Sequence, residues 1–171
     1  MHIFGKRSQF NFDEIFHQYK GTVYKIIRRT VFSHDDVMDI SQNVFINIYK
    51  YLPNFKGDSD ISTWIYRITV NETMRFFSQK YEKQKSHVEN FEQNLSDRQT
   101  SYLDLSEEEI EAVFEKALAS LPEKQRMVFS LRYYEEMPYQ QMSEVLKTSE
   151  GALKASYHQA VKKIEDFFKS C

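Results

Sequence analysis

Between Phe12 and Thr30 the apolar and core-compatible residues fall at Phe12, Ile15, Phe16, Tyr19, Val23, Ile26, Ile27 and Thr30, stepping by three and four. That step puts them on one face of an α-helix but would scatter them over both faces of a strand, so it predicts a long amphipathic helix over roughly 11–32. The step returns at Val37, Ile40, Val44, Ile48 and Leu52, after "SHDD" at 33–36 has supplied a cap and first-turn acids, and Pro53 stops this second helix. A third begins near Asp60 or Ser62, either of which can cap it, and runs to about Lys85 with Ile61, Trp64, Ile65, Ile68 and Phe76 inward. Only four glycines and three prolines occur in 171 residues, too few for the turns of a strand-rich fold. The expectation is an all-α protein, and its length suits one domain or two small ones.

Residues 86–106, "SHVENFEQNLSDRQTSYLDLS", are polar and lack a regular apolar step, so they read as a linker. Ser106 followed by Glu109 forms a capping-box pattern for a helix whose apolar face is Ile110, Val113, Phe114, Ala117 and Leu118. Pro122 suits the first turn of the next helix, with Met127, Val128, Leu131 and Tyr134, and Pro138 starts a short one over 138–146. A last helix covers about 150–168, giving about seven in all, three or four before the linker and four after it.

The last two helices carry the most specific pattern. Tyr139, Met142, Val145 and Leu146 form one apolar face, "KTS" connects, and Leu153, Tyr157, Ala160, Val161 and Ile164 form the next. Short helices joined this tightly cross steeply, as in a helix-turn-helix. The second would then present Glu150, Lys154, Ala155, His158, Gln159 and Lys162 to solvent, small and hydrogen-bonding residues first and lysines further along, which suits a helix entering the major groove and held by phosphates at its rim. An ordinary solvated helical hairpin fits the same spacing.

Charge is uneven along the chain: net +4 over 1–85, −7 over 86–122 and +1 over 123–171. The total of −2 excludes a uniformly basic nucleic-acid coat. A single cysteine, Cys171, excludes an internal disulfide framework and a multi-cysteine zinc site, and fits a reducing cytoplasm. His2, His17, His34, His87 and His158 show no metal-ligand spacing, and Glu107, Glu108, Glu109 and Glu111 sit at a helix start, where acids complement the dipole. No phosphate-binding loop, nucleophile elbow or membrane-spanning run is present, so the expectation is a soluble intracellular protein with no cofactor, no metal and no enzymatic activity of its own.

The two halves together resemble the extracytoplasmic-function sigma factors, the smallest members of the sigma-70 family that directs bacterial RNA polymerase to promoters. The resemblance runs through "DDVMDISQNVFINIYKYLPNFKGDSDISTWIYRITVNETM" and "LPEKQRMVFSLRYYEEMPYQQMSEVLKTSEGALKASYHQAVKKI". It implies two small helical domains on a flexible linker: 1–85 as sigma region two, which binds the beta-prime clamp of core polymerase and recognises and melts the minus-ten element; 86–106 as linker; and 107–171 as region four, which reads the minus-thirty-five element and contacts the beta flap. By the same resemblance Asp39, Gln42 and Asn43 bind polymerase, and Lys56, Asp58, Ser59, Thr63, Arg67 and Asn71 capture a flipped base of the displaced minus-ten strand. The minus-thirty-five face takes in Ser149, Glu150, Lys154, Ala155, His158, Gln159 and Lys162. On helix geometry alone Thr63, Arg67 and Asn71 share a row four apart beside the apolar face, while Trp64 belongs to core packing, and Phe45 either packs or borders the polymerase face.

The partners implied are core polymerase, promoter DNA and an anti-sigma factor, with no small-molecule substrate and no direct membrane insertion. Departures from the family pattern lie at Asn43 in place of an acid, Val70 in place of a basic residue, and Ser156 and Gln159 in place of arginines. Gln159 could read adenine through its amide. Two other functions suit the residues: a stand-alone helix-turn-helix regulator of duplex DNA, and a sigma-like decoy that occupies a regulator.

Overall fold

The computed structural model describes residues 10–85 and 106–170, and among these it has seven α-helices and no strand. Helix α1 (Phe12–Arg28) begins where Asn11, in extended backbone, accepts a hydrogen bond from the Asp13 amide; Asp13 and Glu14 then occupy the first turn, where the dipole favours acids. Helix α2 (His34–Tyr51) is capped by Ser33, which accepts from the Asp36 amide, and it ends in a 3₁₀ turn over Leu52–Asn54 that contains Pro53. A loop with Gly57 at φ +77°, a backbone setting that favours glycine, leads into the 25-residue α3 (Ile61–Lys85). The three helices close over Ile15, Val23, Ile27, Val37, Val44, Ile48 and Ile65, each at most 3% exposed, with Ile61, Trp64, Ile68 and Phe76 leaning on that core. Each such aliphatic side chain contributes about 1.5–3 kcal/mol, so burial rather than helix propensity holds this half together.

The second half starts at α4 (Glu107–Ser120), whose capping box is formed in both directions between Ser106 and Glu109. Helices α5 (Glu123–Tyr133) and α6 (Tyr139–Leu146) each have a proline, Pro122 and Pro138, at the N-cap rather than inside the first turn. Both prolines have ψ near 143–144°, and such an extended residue precedes a helix instead of belonging to it. Lys147 turns the chain in the left-handed region before α7 (Glu150–Ser170). Leu118, Leu121, Phe129, Ala160 and Ile164 form one core, and the Phe129 ring stacks between Tyr133 at 5.1 Å and Tyr157 at 5.7 Å. The linker residues 86–105, together with His2, His87 and Cys171, lie outside the described residues.

The halves also meet each other. A third cluster takes Ile26 and Val70 from the first half and Met127, Val128, Leu131, Met137, Met142, Val145 and Leu153 from the second. Helix α3 makes this possible because it carries two apolar rows: Ile61, Ile65, Ile68 and Phe76 face α1 and α2, while Tyr66, Val70 and Met74, about 180° around the helix, face the second half. Polar contacts frame the apolar contact. Arg29 pairs with Glu135 and stacks 4.0 Å over Tyr134, and Gln141 Nε2 donates to Thr63 Oγ1 at 3.0 Å. Arg126, only 6% exposed, lies over the rings of Phe32 and Phe77 and donates to the Ala119 carbonyl; burial pulls its guanidinium below the ordinary arginine range, with Glu123 opposing.

Candidate nucleic-acid interface

Three surfaces carry the residues singled out above. The first is the outer side of α2. Asp39 and Gln42 are exposed there and border an apolar groove of about 720 Å³ walled by Phe12, Phe16, Met38, Phe45, Ile46 and Tyr49. Edge-to-face contacts set the wall, Phe16 on Phe45 at 4.8 Å and Phe12 on Tyr49 at 5.2 Å, yet Ile46 and Tyr49 remain 55% and 67% exposed. Phe45 is half-buried and so both packs and borders the groove. Asn43 is not part of this groove; it faces a polar depression shared with Asp39, Asn47, Glu72, Arg75 and Gln79. The groove itself was missed in the sequence, where its signal was a second apolar row on α2, Met38, Phe45 and Tyr49, off the core-facing row. Exposed apolar patches of this kind mark sites where another macromolecule docks.

The second surface is the loop after Pro53 and the start of α3. Lys56 and Asp58 are exposed and Ser59 is half-exposed, so the loop is open to solvent. Phe55 anchors its near end, 5.1 Å from Trp64 and 5.8 Å from Phe10, and Trp64 in turn leans on the first core. Along α3 the expected row does not stay on the surface. Thr63 is only 4% exposed and accepts from the Gln141 amide, Arg67 is half-buried with its Nε enclosed and without a hydrogen-bond partner among the described residues, and of the three only Asn71 is exposed. At Thr63 the edge is covered by α6 through Gln141.

The third surface belongs to α7. Leu153, Ala160 and Ile164 are buried, while Glu150, Lys154, Ala155, His158, Gln159 and Lys162 are all exposed, so the helix shows solvent the face that the spacing assigned to it. Ser149 Oγ accepts from the Ala152 amide at 3.3 Å, which commits part of that hydroxyl to starting the helix. Lys154 is held 3.7 Å from Glu150 and 5.5 Å over the Tyr139 ring. Gln159 is oriented by a residue that sequence reasoning passed over. Lys163 Nζ donates to Gln125 Oε1 at 2.9 Å, and Gln125 Nε2 donates to Gln159 Oε1 at 3.0 Å. A lysine only donates, so it dictates which end of the Gln125 amide faces Gln159.

Among the described residues no group of histidine, cysteine, aspartate and glutamate side chains could hold a metal ion, and no helix is long and apolar enough to cross a membrane. Residues 15–82 match the family model for sigma-70 region 2, and residues 111–164 that for sigma-70 region 4. The ECF RNA polymerase sigma-E factor of Escherichia coli is 31% identical, over 95% of this chain and 87% of that protein. The RNA polymerase sigma-H factor of Pseudomonas aeruginosa is 27% identical, over 90% and 84%. Among solved structures, the sigma factor RpoE of Bartonella quintana, in complex with the anti-sigma factor NepR, shares the fold with a TM-score of 0.73 at 17% identity, covering 92% of this chain and 96% of that one. CnrH in complex with the cytosolic domain of CnrY does so at 0.65 and 18%, covering 92% and 87%. With both regions matched in order and a relative 31% identical along nearly the whole chain, the protein belongs to the extracytoplasmic-function sigma factors of the sigma-70 family and directs RNA polymerase to promoters.

Proposed function

We propose that the three surfaces divide initiation among them. The α2 face, with Asp39 and Gln42 on the apolar groove and Asn43 beside it, holds core polymerase; the loop residues Lys56, Asp58 and Ser59 with Thr63, Arg67 and Asn71 take the displaced minus-ten strand; and the open face of α7 reads the minus-thirty-five duplex. The observation that carries this reading is the division of α7 into a buried apolar side and an exposed side of hydrogen-bonding residues and lysines. Gln159 and His158 then face base edges, while Lys154 and Lys162 meet phosphates, a term that weakens steeply with salt. The protein contributes binding energy and base capture and leaves the chemistry to polymerase, so it has no catalytic residue and acts in the cytoplasm. RpoE of Bartonella quintana is in complex with the anti-sigma factor NepR, and a regulator of that kind fits the exposed apolar groove on α2.

Transcription in vitro with purified core polymerase and a library of promoter fragments tests the division. Wild type should yield specific transcripts, Asn71→Ala should reduce them through promoter opening, and Lys154→Ala should weaken duplex binding. Folded protein that neither binds core polymerase nor supports transcripts would overturn the proposal.

A further inference from the structure

The hydrogen bonds from Lys163 through Gln125 to Gln159 can run in only one direction. Lys163 Nζ donates to Gln125 Oε1 at 2.9 Å, and an ammonium has nothing with which to accept, so Gln125 keeps its oxygen toward Lys163 and its amino group toward Gln159. Gln159 must then receive with its own oxygen, at 3.0 Å, because two amino groups facing each other would leave the bond unmade. The oxygen end of the Gln159 amide is therefore turned toward α5, and the amino end, on the other side of the same carbon, faces away from it. Packing holds the frame behind these bonds. Gln159 and Lys163 stand four apart on one row of α7, beside Ala160 and Ile164, which are buried with Phe129 of α5. Gln125 is half-buried one turn before Phe129, whose ring stacks on Tyr157 of α7 at 5.7 Å.

We propose that Gln125 and Lys163 are positioning residues that set the polarity of Gln159, so that its amino group reads guanine in the minus-thirty-five duplex rather than adenine. The proposal rests on the functional reading above. Guanine offers two acceptors, O6 and N7, to the major groove, and the two amide hydrogens can use both. Adenine offers N7 beside its N6 amino group, which suits a free glutamine whose oxygen and nitrogen engage it side by side. With the Gln159 oxygen held by Gln125, the adenine amino group would meet another donor, and a donor left unmatched where water has been displaced is costly. Gln159 and Lys163 are exposed in the free protein, and a covering duplex lowers the local dielectric, which strengthens the bonds that hold the polarity.

The decisive variant reverses the polarity instead of deleting it. The carboxylate of Gln125→Glu only accepts, so it takes both the Lys163 ammonium and the Gln159 amino group and turns the Gln159 oxygen outward. Holoenzyme assembled with core polymerase selects from duplexes randomised across the minus-thirty-five element. Wild type should prefer guanine to adenine by about tenfold at one base pair, and Gln159→Ala should lose the preference there. Gln125→Glu should move that position alone to cytosine or adenine, the bases that present an amino group. A wild-type preference for adenine at the Gln159-dependent position, or a guanine preference that survives Gln125→Glu, would overturn the proposal. The bonds can also be followed without DNA. In protein carrying isotope-labelled glutamine, Lys163→Met should move the side-chain amide resonances of Gln125 and, through them, those of Gln159. Gln159 resonances that stay in place would refute the positioning whatever the holoenzyme selects. Should the holoenzyme select no sequence at all, the functional reading fails and takes the base preference with it, while the resonances still decide whether Lys163 and Gln125 hold Gln159.

Discussion

Met142→Ala tests whether the shared cluster couples the halves energetically. Met142 on α6 has no solvent exposure and lies in the cluster that joins Leu131, Val145 and Leu153 of its own half to Ile26 and Val70 of the other. Truncating a buried methionine to alanine costs about 2–5 kcal/mol, and the lower half of that range is expected because Met127 and Met137 in the same cluster are flexible enough to fill part of the space. The reporter is Trp64, the only tryptophan, which lies in the first half against Phe55. At a urea dependence of about 2–3 kcal/mol per molar, a loss of about 2.5 kcal/mol moves a cooperative transition down by roughly 1 M. Trp64 fluorescence and far-UV dichroism should shift together by that amount. A Trp64 midpoint that stays in place while the helical signal melts earlier would refute the coupling, since the first half would then be indifferent to α6. Val44→Ala, at a fully buried position of the first core, must lower the Trp64 midpoint in either case and so shows that the assay responds.

Ser106→Ala removes one arm of the capping box and should lower stability by about 1 kcal/mol, with faster amide exchange confined to the start of α4. Lys147→Gly replaces a side chain held at φ +50° and should raise the melting temperature through a gain of about 0.5–1 kcal/mol; a loss would mean that the lysine side chain itself contributes more than the backbone strain. Gln125→Ala releases the Gln159 amide, so selection from a randomised duplex should show broader preference at one base pair, where a held bidentate contact gives about 1–3 kcal/mol, while affinity for the remaining positions is kept. Burial raises the phenols of Tyr66 and Tyr134 above their ordinary 10.0, Glu135 adding to the effect on Tyr66 and Arg29 opposing it at Tyr134. The folded state therefore keeps these protons when the unfolded chain has lost them, and the stability they confer is complete below pH 10 and declines above it; denaturation midpoints that hold steady into that range would contradict the burial.

Much of this protein is local, and local features are legible in order along the chain. The helix starts at Ser33 and Ser106, the stop at Pro53 and the exposed face of α7 all follow from a cap, a breaker or a 3.6-residue step acting within a few residues, whereas the first helix, expected to reach about residue 32, ends at Arg28. The two sigma-70 motifs are likewise contiguous stretches, and they carry the class of function. The tertiary structure decided which partner covers each apolar row. Helix α3 reads in sequence as having one inward row, yet Tyr66, Val70 and Met74 form another whose partner lies far along the chain, and the same fact buries Thr63 under Gln141. On α2 the second row, Met38, Phe45 and Tyr49, has no such cover among the described residues and forms walls of a groove. Both rows obey the same periodicity, and periodicity records only that a face is apolar. Whether that face becomes core, a contact between the halves or an open groove depends on what the rest of the chain brings within van der Waals reach.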